Sequence, residues 1–398
     1  MTIVLTGLSL IALLIALPAF VLLLEVLLAR SSRPAQPACS SQCPRIAVLV
    51  PAHNEATGIA ATIRNIASQL SADSTLHQIV VIADNCTDDT AALARTCGAT
   101  VIERTDPELR GKGYALDYGV RYLQTDPPAV VVVIDADCLL SEGALQQLAR
   151  CCVATGRPIQ ARYLMRFPDG SGGPGARIAE LALLVKNWVR PLGLAKWGLP
   201  CPLLGSGMAF PWTIISQVPL ASGNIVEDMR LGSDLVGAGN GPLYLDQAQV
   251  TSTFPMAIEG QQSQRTRWEH GHLQTLLTQV PRLIVRGVVR RDFTIIAYAL
   301  DLAIPPLALL AMGLLAMLAI LLLIAMLGNS LLPVILVLAA IVALMLAVYL
   351  AWDRFARDLV SVAALRSIPA YALGKIPVYL KFVFARQTAW VRSRRDRE

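Results

Sequence analysis

The chain has 398 residues, of which 55% are hydrophobic and 16% are charged, and its mean hydropathy is +0.54. This composition excludes a purely soluble protein, so part of the chain must lie in lipid. The formal net charge of +6 would suit nucleic acid, but the excess arginine lies beside apolar segments, where it meets anionic lipid head groups. We therefore expect membrane lipids, and no nucleic acid, as partners.

Two long runs of the chain carry no charged residue. They cover residues 3–24 and 302–352, and a membrane-spanning helix needs about 20 apolar residues. The first run predicts one transmembrane helix within residues 1–29. The second predicts two, folded back at residues 328–330, with Pro333 opening the return helix. A cleaved signal peptide fits the first run poorly, because its basic residues would precede the apolar stretch and not follow it.

Arginine is distributed unevenly around these runs. It follows the first run, flanks the second on both sides and is absent from the turn at 328–330. By the positive-inside rule, the amino terminus lies outside the cytosol, and the middle of the chain and its basic tail are cytoplasmic. This predicts a multi-pass protein of the cell (inner) membrane. The arginines concerned are Arg30, Arg33, Arg45, Arg282, Arg286, Arg290, Arg291, Arg354, Arg357, Arg392, Arg394, Arg395 and Arg397.

Residues 45–290 have the composition of a globular domain. Short apolar runs rich in β-branched residues alternate there with helical patterns, which predicts a parallel α/β sheet. Polar clusters follow three of the four runs, at the strand ends where such sheets bind ligands. The predicted strands are 46–50, 78–83, 99–103 and 130–134, and the clusters are 51–55, 84–89 and 135–137.

Asp135 and Asp137 close the fourth predicted strand. Residues two apart on an extended chain point the same way, so the two carboxylates should converge. Such a pair needs a cation, and its hard oxygen ligands suit Mg²⁺ or Mn²⁺ bound together with a substrate diphosphate. An Asp-x-Asp sequence by itself also fits a helix cap or a solvated turn.

Two further positions favour nucleotide binding. Asp84 closes the second predicted strand, where its carboxylate could accept hydrogen bonds from a base or a ribose. Lys112 lies between two glycines at a helix start, which lets the backbone approach a phosphate and adds a positive charge. Residues 87–89 are better explained as the cap and acidic first turn of a helix over 90–97.

Two motifs of the second half of the domain each admit a structural and a functional interpretation. Glu227 and Asp228 stand at the start of a predicted helix. They could cap that helix, or they could form a reactive carboxylate pair. Gln264, Arg267 and Trp268 share one face of a helix. That face suits a site, and it also suits a helix at the membrane interface.

The remaining features predict membrane contact and thiols. Residues 359–390 mix prolines, lysines and aromatics with leucines, which is typical of a helix lying in the membrane interface.

The eight cysteines show no paired zinc spacing, and a cytosolic domain disfavours disulfides. We expect them to be structural or incidental thiols.

Taken in order, the Pro-Ala-His-Asn-Glu, Gly-Lys-Gly, Asp-Ala-Asp, Glu-Asp and Gln-Arg-x-Arg-Trp motifs and Asp84 resemble those of the family 2 glycosyltransferases. Within that family the chain is similar to the membrane-bound synthases of cellulose, chitin, hyaluronan, poly-N-acetylglucosamine and Nod-factor chitooligosaccharide. The resemblance covers about residues 45–272 and the flanking spans. It implies a cytoplasmic GT-A type, Rossmann-like domain at 45–290, with transmembrane helices at 1–29 and within 302–352. An interfacial segment and basic tail would occupy 359–398.

The resemblance also implies a reaction: metal-dependent transfer from a UDP-sugar to a saccharide acceptor, with Mg²⁺ or Mn²⁺. Direct displacement of the diphosphate would invert the anomeric carbon, so a β-linked polysaccharide or oligosaccharide is expected. A single-sugar transferase acting on a membrane lipid, and an inactive membrane-tethered binding protein, are the alternatives. The implied residues are Asp228 as catalytic base; Pro51, Glu55, Asp84, Lys112, Asp135 and Arg267 at the donor; Glu227, Gln264 and Trp268 at the acceptor; and Asp135 and Asp137 at the metal.

Residues 205–210 resemble the acceptor-side Gly-x-Gly loop of the family. Met208 and the Pro-Trp pair at 211–212 depart from the commoner polymer synthases, as does the small number of predicted spans. These departures leave open whether synthesis is processive, and whether a channel or export partner protein completes the path of the product.

Overall fold

The computed structural model describes residues 2–31, 37–70, 77–168, 173–327 and 330–386. Residues 328–329 of the predicted turn, Arg33 and the arginines of the basic tail lie outside the described residues. The chain divides into two compact units, one built on a β-sheet and one all-helical.

The elements alternate along the chain much as the sequence pattern predicts. The strands are β1 Ile46–Ala52, β2 His77–Asp84, β3 Thr100–Arg104, β4 Val130–Val133, β5 Leu139–Leu140, β6 Ile159–Arg166, β7 Met208–Pro211 and β8 Leu243–Thr253. The helices are α1 Thr2–Arg30, α2 Ile59–Ala67, α3 Thr90–Thr96, α4 Lys112–Leu123, α5 Ala144–Thr155, α6 Pro174–Leu184, α7 Arg190–Lys196, α8 Trp212–Ile215, α9 Glu227–Gly237, α10 Ile258–Arg290, α11 Phe293–Leu302, α12 Leu307–Met326, α13 Leu332–Phe355, α14 Val362–Leu365, α15 Ile368–Leu373 and α16 Ile376–Phe384, with a π-helical turn at Val185–Val189.

The sheet unit contains the described residues of Ala35–Asp169 and Pro200–Gly271. Its eight strands lie in the order β3-β2-β1-β4-β7-β6-β8-β5. The four predicted strands form the parallel half, β3-β2-β1-β4, while β7 and β5 run antiparallel to their neighbours. The predicted fold class, an α/β sheet of the GT-A type, is confirmed, and the second half of the sheet makes it mixed rather than purely parallel.

The parallel half is held by a core on which α4 packs closely. Leu49 of β1 and Ile82 of β2 are fully buried in one cluster with Leu116 of α4. A β-carbon on Gly119 would lie 3.0 Å from the Ile82 Cδ1 atom, so glycine allows the helix to approach the strands. Because successive strands are aligned in register, their carboxyl ends meet at one edge.

The helical unit contains the described residues of Met1–Pro34, Gly170–Leu199 and His272–Arg386. Three of its helices are long and apolar enough to cross a membrane: Gly7–Arg30, Leu307–Met326 and Leu332–Phe355. One amino-terminal and two carboxyl-terminal apolar helices were predicted, and this part of the fold is confirmed. Pro333 lies in the first turn of α13, where its missing N–H leaves no hydrogen bond unmade.

A buried charge cluster joins three segments of the helical unit. Arg190 of α7 binds Asp301 of α11 through two hydrogen bonds to one carboxylate oxygen, at 3.0 and 2.8 Å. Its Nε atom also lies 3.4 Å from the Glu25 carboxylate in α1. All three side chains are at least nine-tenths buried. Such residues in an apolar helical unit are stable only when paired.

Residues 359–390 differ from the single interfacial helix that the sequence suggests. The chain forms three short helices there, α14, α15 and α16, and residues 387–390 lie outside the described residues. Pro369 and Pro377 occupy the first turns of α15 and α16. Proline cannot continue a helix but starts one readily, so each proline begins a new element.

The prediction that all eight cysteines are thiols is wrong for two of them. Cys39 and Cys151 are joined by a disulfide, while six cysteines are free. The adjacent backbones also pair, since Ser40 N–H donates to Arg150 C=O at 3.1 Å. The two cysteines are 112 residues apart in sequence, so their contact depends on tertiary structure that spacing does not reveal.

Candidate active site

Asp135 and Asp137 lie just beyond the end of β4, at the edge of the sheet where the polar clusters converge. The Asp135 N–H donates to Ser206 Oγ at 3.1 Å, and Ser252 Oγ donates to Asp137 Oδ2 at 2.8 Å. One carboxylate oxygen of each aspartate and the Cys138 sulfur lie within 4.8 Å of one another. A serine of the loop before β7 and a serine of β8 therefore fix the two acidic residues by hydrogen bonds.

The donor atoms of this cluster fit a hard cation. Asp135 and Asp137 offer carboxylate oxygens, the ligands that Mg²⁺ and Mn²⁺ prefer. Burial raises the pKa of Cys138 well above its usual value, with Asp137 and Asp135 contributing further. Sulfur is also a soft ligand, which Mg²⁺ and Mn²⁺ do not prefer. The two aspartates, without the cysteine, are the residues suited to a metal.

Lys112 begins α4, directly after Gly111, whose φ of +129° favours glycine. Its Nζ atom forms a salt bridge with Asp135 and donates to Gly205 C=O at 2.7 Å. Burial by itself would lower the pKa of Lys112, but the charges of Asp135, Glu227 and Asp228 raise it above its usual value. The ammonium group therefore stays charged at neutral pH.

Gly205 lies where the charged groups of the site converge. Its φ is +90°, and a β-carbon there would lie 3.3 Å from Asp228 Oδ2, 3.6 Å from Lys112 Nζ and 4.0 Å from Asp135 Oδ2. Glycine leaves this space open. Acidic groups from β4 and α9 and a cation from α4 thus surround a single point.

Glu227 and Asp228 form the first turn of α9, whose N-cap residue is Val226. Asp228 Oδ1 accepts a hydrogen bond from Met229 N–H at 2.8 Å, and Asp228 Oδ2 faces Gly205. Neither carboxylate occupies the N-cap position, so the capped-helix interpretation does not account for the pair. Burial and then the charge of Asp228 raise the pKa of Glu227 to about 7.

Gln264, Arg267 and Trp268 share one face of α10, as the spacing predicts. Burial lowers the pKa of Arg267, while the charges of Glu227, Asp135, Asp228 and Asp137 oppose that shift, which places the guanidinium near the acidic cluster. The buried Arg267 Nε has no hydrogen-bond partner among the described residues.

The predicted donor residues of the first two strands lie at the same sheet edge. Pro51 is in β1, in register with Ile82 of β2. Glu55 follows β1, and its N–H donates to Thr90 Oγ1 at 2.7 Å. Asp84 ends β2, where its Oδ1 atom accepts from Arg104 Nη1 at 2.7 Å.

Residues 87–89 form the turn before α3, but the predicted cap and acidic first turn are not found: the Asp89 side chain makes no cap hydrogen bond, and the first turn of α3 contains no acidic residue. Asp88 Oδ1 accepts from Thr90 N–H at 3.0 Å, and Asp89 is the N-cap residue of α3. Asn54 Oδ1 accepts from Thr87 N–H at 2.7 Å, which ties this turn to the turn after β1.

Three side chains that contact site residues or the loop around Gly205 escaped the sequence analysis: Arg104, Gln160 and Ser252. Ser206 belongs to the loop at 205–210 that was singled out, but its contact with Asp135 was not predicted. Gln160 and Ser252 are buried polar residues inside strands β6 and β8, a combination that signals a hydrogen-bonding role once the strands are known. Neither strand was predicted.

One comparison with a solved structure shows the fold. The mannosyltransferase PcManGT from Pyrobaculum calidifontis, in complex with GDP-Man and Mn²⁺, matches with a TM-score of 0.55 at 17% identity over 96% of this chain and 100% of that chain. Glucosyl-3-phosphoglycerate synthase from Mycobacterium tuberculosis, in complex with Mn²⁺, UDP and phosphoglyceric acid, matches with a TM-score of 0.36 at 28% identity over 51% of this chain and 68% of that chain.

Sequence comparisons identify a family. A curated relative, the low-salt glycan biosynthesis hexosyltransferase Agl6 of Haloferax volcanii, is 37% identical over 99 residues, which are 25% of this chain and 22% of that protein. The chain thus matches about a fifth of the length of this relative. The model of the family "Glycosyltransferase like family 2" matches residues 44–271, more than half of the chain. These residues hold the whole acidic site, and the chain therefore belongs to the family 2 glycosyltransferases.

Proposed function

We propose that the chain is a metal-dependent, inverting glycosyltransferase of the membrane-bound synthase type. It transfers a hexosyl or N-acetylhexosaminyl group from a UDP-sugar to a saccharide acceptor, and so forms a β-linked polysaccharide or oligosaccharide. The observation that carries this proposal is the convergence of Asp228, Lys112 and Asp135 on one point beside Gly205. A base, a cation and a metal-ligand carboxylate at one point are what displacement of a nucleoside diphosphate by a hydroxyl requires.

Asp228 is the proposed general base. Its Oδ2 atom faces the open space at Gly205, and it takes the proton of the acceptor hydroxyl as that oxygen attacks the anomeric carbon. Positioned base catalysis usually contributes about 10² to 10⁴ in rate. The acceptor is proposed to be held by Glu227 and by two residues on the same helix face as Arg267, namely Gln264 and Trp268.

Negative charge develops on the departing diphosphate, and cations placed in advance stabilise it. Lys112 and Arg267 are the proposed cations, and both lie near the acidic cluster. Pro51, Glu55 and Asp84 are proposed to hold the rest of the donor. Asp135 and Asp137 would hold Mg²⁺ or Mn²⁺, which supplies charge neutralisation for the diphosphate when bound.

The proposed setting is the cytoplasmic face of the inner membrane. Residues 45–290 form the proposed catalytic domain, tethered by spans within 1–29 and 302–352, with 359–398 as an interfacial segment and basic tail. The three long apolar helices and the arginine distribution support this arrangement.

A donor screen tests the proposed function directly. The purified full-length protein is offered UDP-glucose, UDP-galactose, UDP-N-acetylglucosamine, UDP-N-acetylgalactosamine and GDP-mannose with Mn²⁺, each with saccharide or membrane-lipid acceptors. We expect nucleoside diphosphate release with at least one UDP-sugar, and mass analysis should show a ladder of saccharide products. Addition of a single sugar to lipid would instead support a lipid-directed transferase. Release no greater than that of Asp228→Asn for every donor would refute transfer.

The metal has its own test. EDTA should abolish turnover of the wild type, and excess Mg²⁺ or Mn²⁺ should restore it. Asp137→Asn should bind Mn²⁺ more weakly, and Ser252→Ala should do so by about 10- to 100-fold, the usual loss when the partner of a metal ligand is removed. Calorimetric titration of Mn²⁺ measures both. Full turnover in EDTA would show that no metal is needed.

A further inference from the structure

Gln160 is a fully buried polar residue within strand β6, most of whose residues are buried. Its Oε1 atom accepts from Leu204 N–H at 2.9 Å, and its Nε2 atom donates to Ser206 C=O at 2.9 Å and to Ala161 C=O at 2.8 Å. Two carbonyl partners require the nitrogen and an N–H partner requires the oxygen, so the orientation of the amide is determined. Both amide hydrogens are used on backbone.

The Gln160 amide holds a loop that departs from regular strand geometry. Leu204 and Ser206, its two partners across the loop, stand on either side of Gly205, and φ is +90° at Gly205 and +70° at Gly207. Gly207 still pairs across the sheet, donating to Val133 C=O and accepting from Ala161 N–H. Leu204 N–H and Ser206 C=O instead take a side-chain partner, because backbone polar groups removed from water need hydrogen bonds. Gln160 supplies one for Leu204 N–H and one for Ser206 C=O.

The same loop touches two reactive groups of the site. Gly205 C=O accepts from Lys112 Nζ at 2.7 Å, and Ser206 Oγ accepts from Asp135 N–H at 3.1 Å. The Gln160 side chain is therefore separated from Lys112 by a single peptide segment. A shift of that segment moves the carbonyl that anchors the ammonium group.

We propose that Gln160 is a positioning residue that places Lys112 for the donor diphosphate by fixing the loop around Gly205. It touches no substrate itself and acts through Gly205 C=O. This inference rests on the proposed function, in which Lys112 binds the diphosphate. Its sign is definite: loss of the Gln160 amide should weaken diphosphate binding only while Lys112 is present.

A double-mutant cycle tests this coupling. Gln160→Met keeps a similar volume and removes both hydrogen-bonding functions. In the wild-type background it should weaken the affinity for UDP with Mn²⁺ by about 10-fold, within the range seen for coupled neighbours. In a Lys112→Met background the same change should weaken it by less than about 2-fold, because there is no ammonium group left to misplace. Equal losses in the two backgrounds would overturn the proposal.

The matched control is Gln69→Met. Gln69 is also a buried glutamine whose side-chain amide binds backbone groups, donating to Leu140 C=O at 3.3 Å and accepting from Leu145 N–H at 3.2 Å. Its loss should lower thermal stability as Gln160→Met does but leave UDP affinity unchanged. An equal loss of UDP affinity in the control would assign the effect of Gln160 to general destabilisation.

A second variant covers a failure of Gln160→Met to fold. Gln160→Glu keeps the length and the acceptor for Leu204 N–H, but sets an oxygen against the Ser206 carbonyl, and it should show the same dependence on Lys112. If neither variant folds while Gln69→Met does, Gln160 has a structural role and the proposal fails. A wild type that neither binds UDP or GDP nor turns over any donor overturns the proposed function, and this inference with it.

Discussion

Asp228 is the residue on which the proposed chemistry depends most directly, because its Oδ2 atom faces the space at Gly205. Asp228→Asn keeps the size of the side chain and removes the proton acceptor. Turnover should therefore fall by about 10² to 10⁴, while affinity for UDP with Mn²⁺ changes little. Initial rates and calorimetric titration of UDP measure the two effects separately.

Asp234→Asn is the matched control for this prediction. Asp234 lies on the same helix, where it is 54% exposed and pairs only loosely with Arg230 at 3.8 Å. This variant should keep wild-type turnover. If Asp228→Asn is stable, binds UDP and still turns over at a near-normal rate, another group takes the proton.

Glu227 makes stability depend on pH, because its pKa in the folded protein, about 7, lies above the ordinary value of 4.5. A raised pKa means that the folded state binds the proton more tightly than the unfolded state. The resulting stabilisation is complete below about pH 4.5 and is lost as the pH rises through about 7. Between pH 5 and pH 8, the melting temperature of the metal-free wild type should therefore fall more than that of Glu227→Gln.

Glu103→Gln provides the comparison for Glu227, since Glu103 is 58% exposed in the same unit. It should leave the pH profile of the melting temperature unchanged. A wild-type profile parallel to that of Glu227→Gln would mean that Glu227 titrates normally.

Sequence reasoning could find those site residues that belong to a local pattern. Asp135 and Asp137 follow an apolar strand directly, so their convergence follows from strand geometry. Ser252 contacts the site from β8, and Gln160 contacts the loop around Gly205 from β6, both far along the chain. Their roles depend on which strands become neighbours, and no local spacing contains that information.

At the scale of elements, the loop before β7 should be sensitive to any added side chain. Gly205→Ala both strains a φ of +90° and places a methyl group 3.3 Å from Asp228 Oδ2. We expect turnover to fall by at least about 10-fold, the consequence of roughly 1.4 kcal/mol lost in the transition state. Initial rates at saturating donor are the measurement.

Gly98→Ala separates backbone strain from obstruction of the site. Gly98 has a similar φ of +84°, but a β-carbon there would meet nothing within 4 Å. The two variants should lose comparable thermal stability, and only Gly205→Ala should lose turnover. Equal loss of turnover in both would mean that the space at Gly205 is not part of the site.

Strands β1, β2 and β4 were predictable because buried parallel strands are nearly continuous apolar runs, which are visible in sequence. Strand β3 lies at the edge of the sheet and is partly exposed. Strand β5 has two residues and β7 has four, too few for a periodic signal. The three short helices after α13 were missed for a different reason. The composition of residues 359–390 indicates an interfacial segment, but only two prolines mark the points where one helix ends and the next begins.

At the scale of the whole molecule, the arginine distribution predicts one orientation in the membrane. Reporter fusions after residue 290 and at the carboxyl terminus should read as cytoplasmic, and a tag inserted at Asn329 should be accessible from outside. Accessibility of the tag only from the cytosol would contradict a two-span hairpin between α12 and α13.

The disulfide between Cys39 and Cys151 bears on the same question. Disulfides are rare in a reducing cytosol, and both cysteines belong to the unit that the proposed orientation places there. Thiol counting on protein isolated under alkylating conditions should find six thiols, because Cys39 and Cys151 are paired. Eight thiols would show that a reducing compartment keeps this pair reduced. Six thiols, together with reporter fusions that lie outside the cytosol, would mean that the orientation is the opposite of the proposed one.

The charge cluster of Glu25, Arg190 and Asp301 also constrains the order of biosynthesis. Glu25 emerges from the ribosome within α1, long before Arg190 and Asp301, and most of the sheet unit is translated in between. An isolated carboxyl group inside an apolar helix is unfavourable until its partner arrives. Helix α1 therefore cannot complete this charge cluster until translation has passed residue 301.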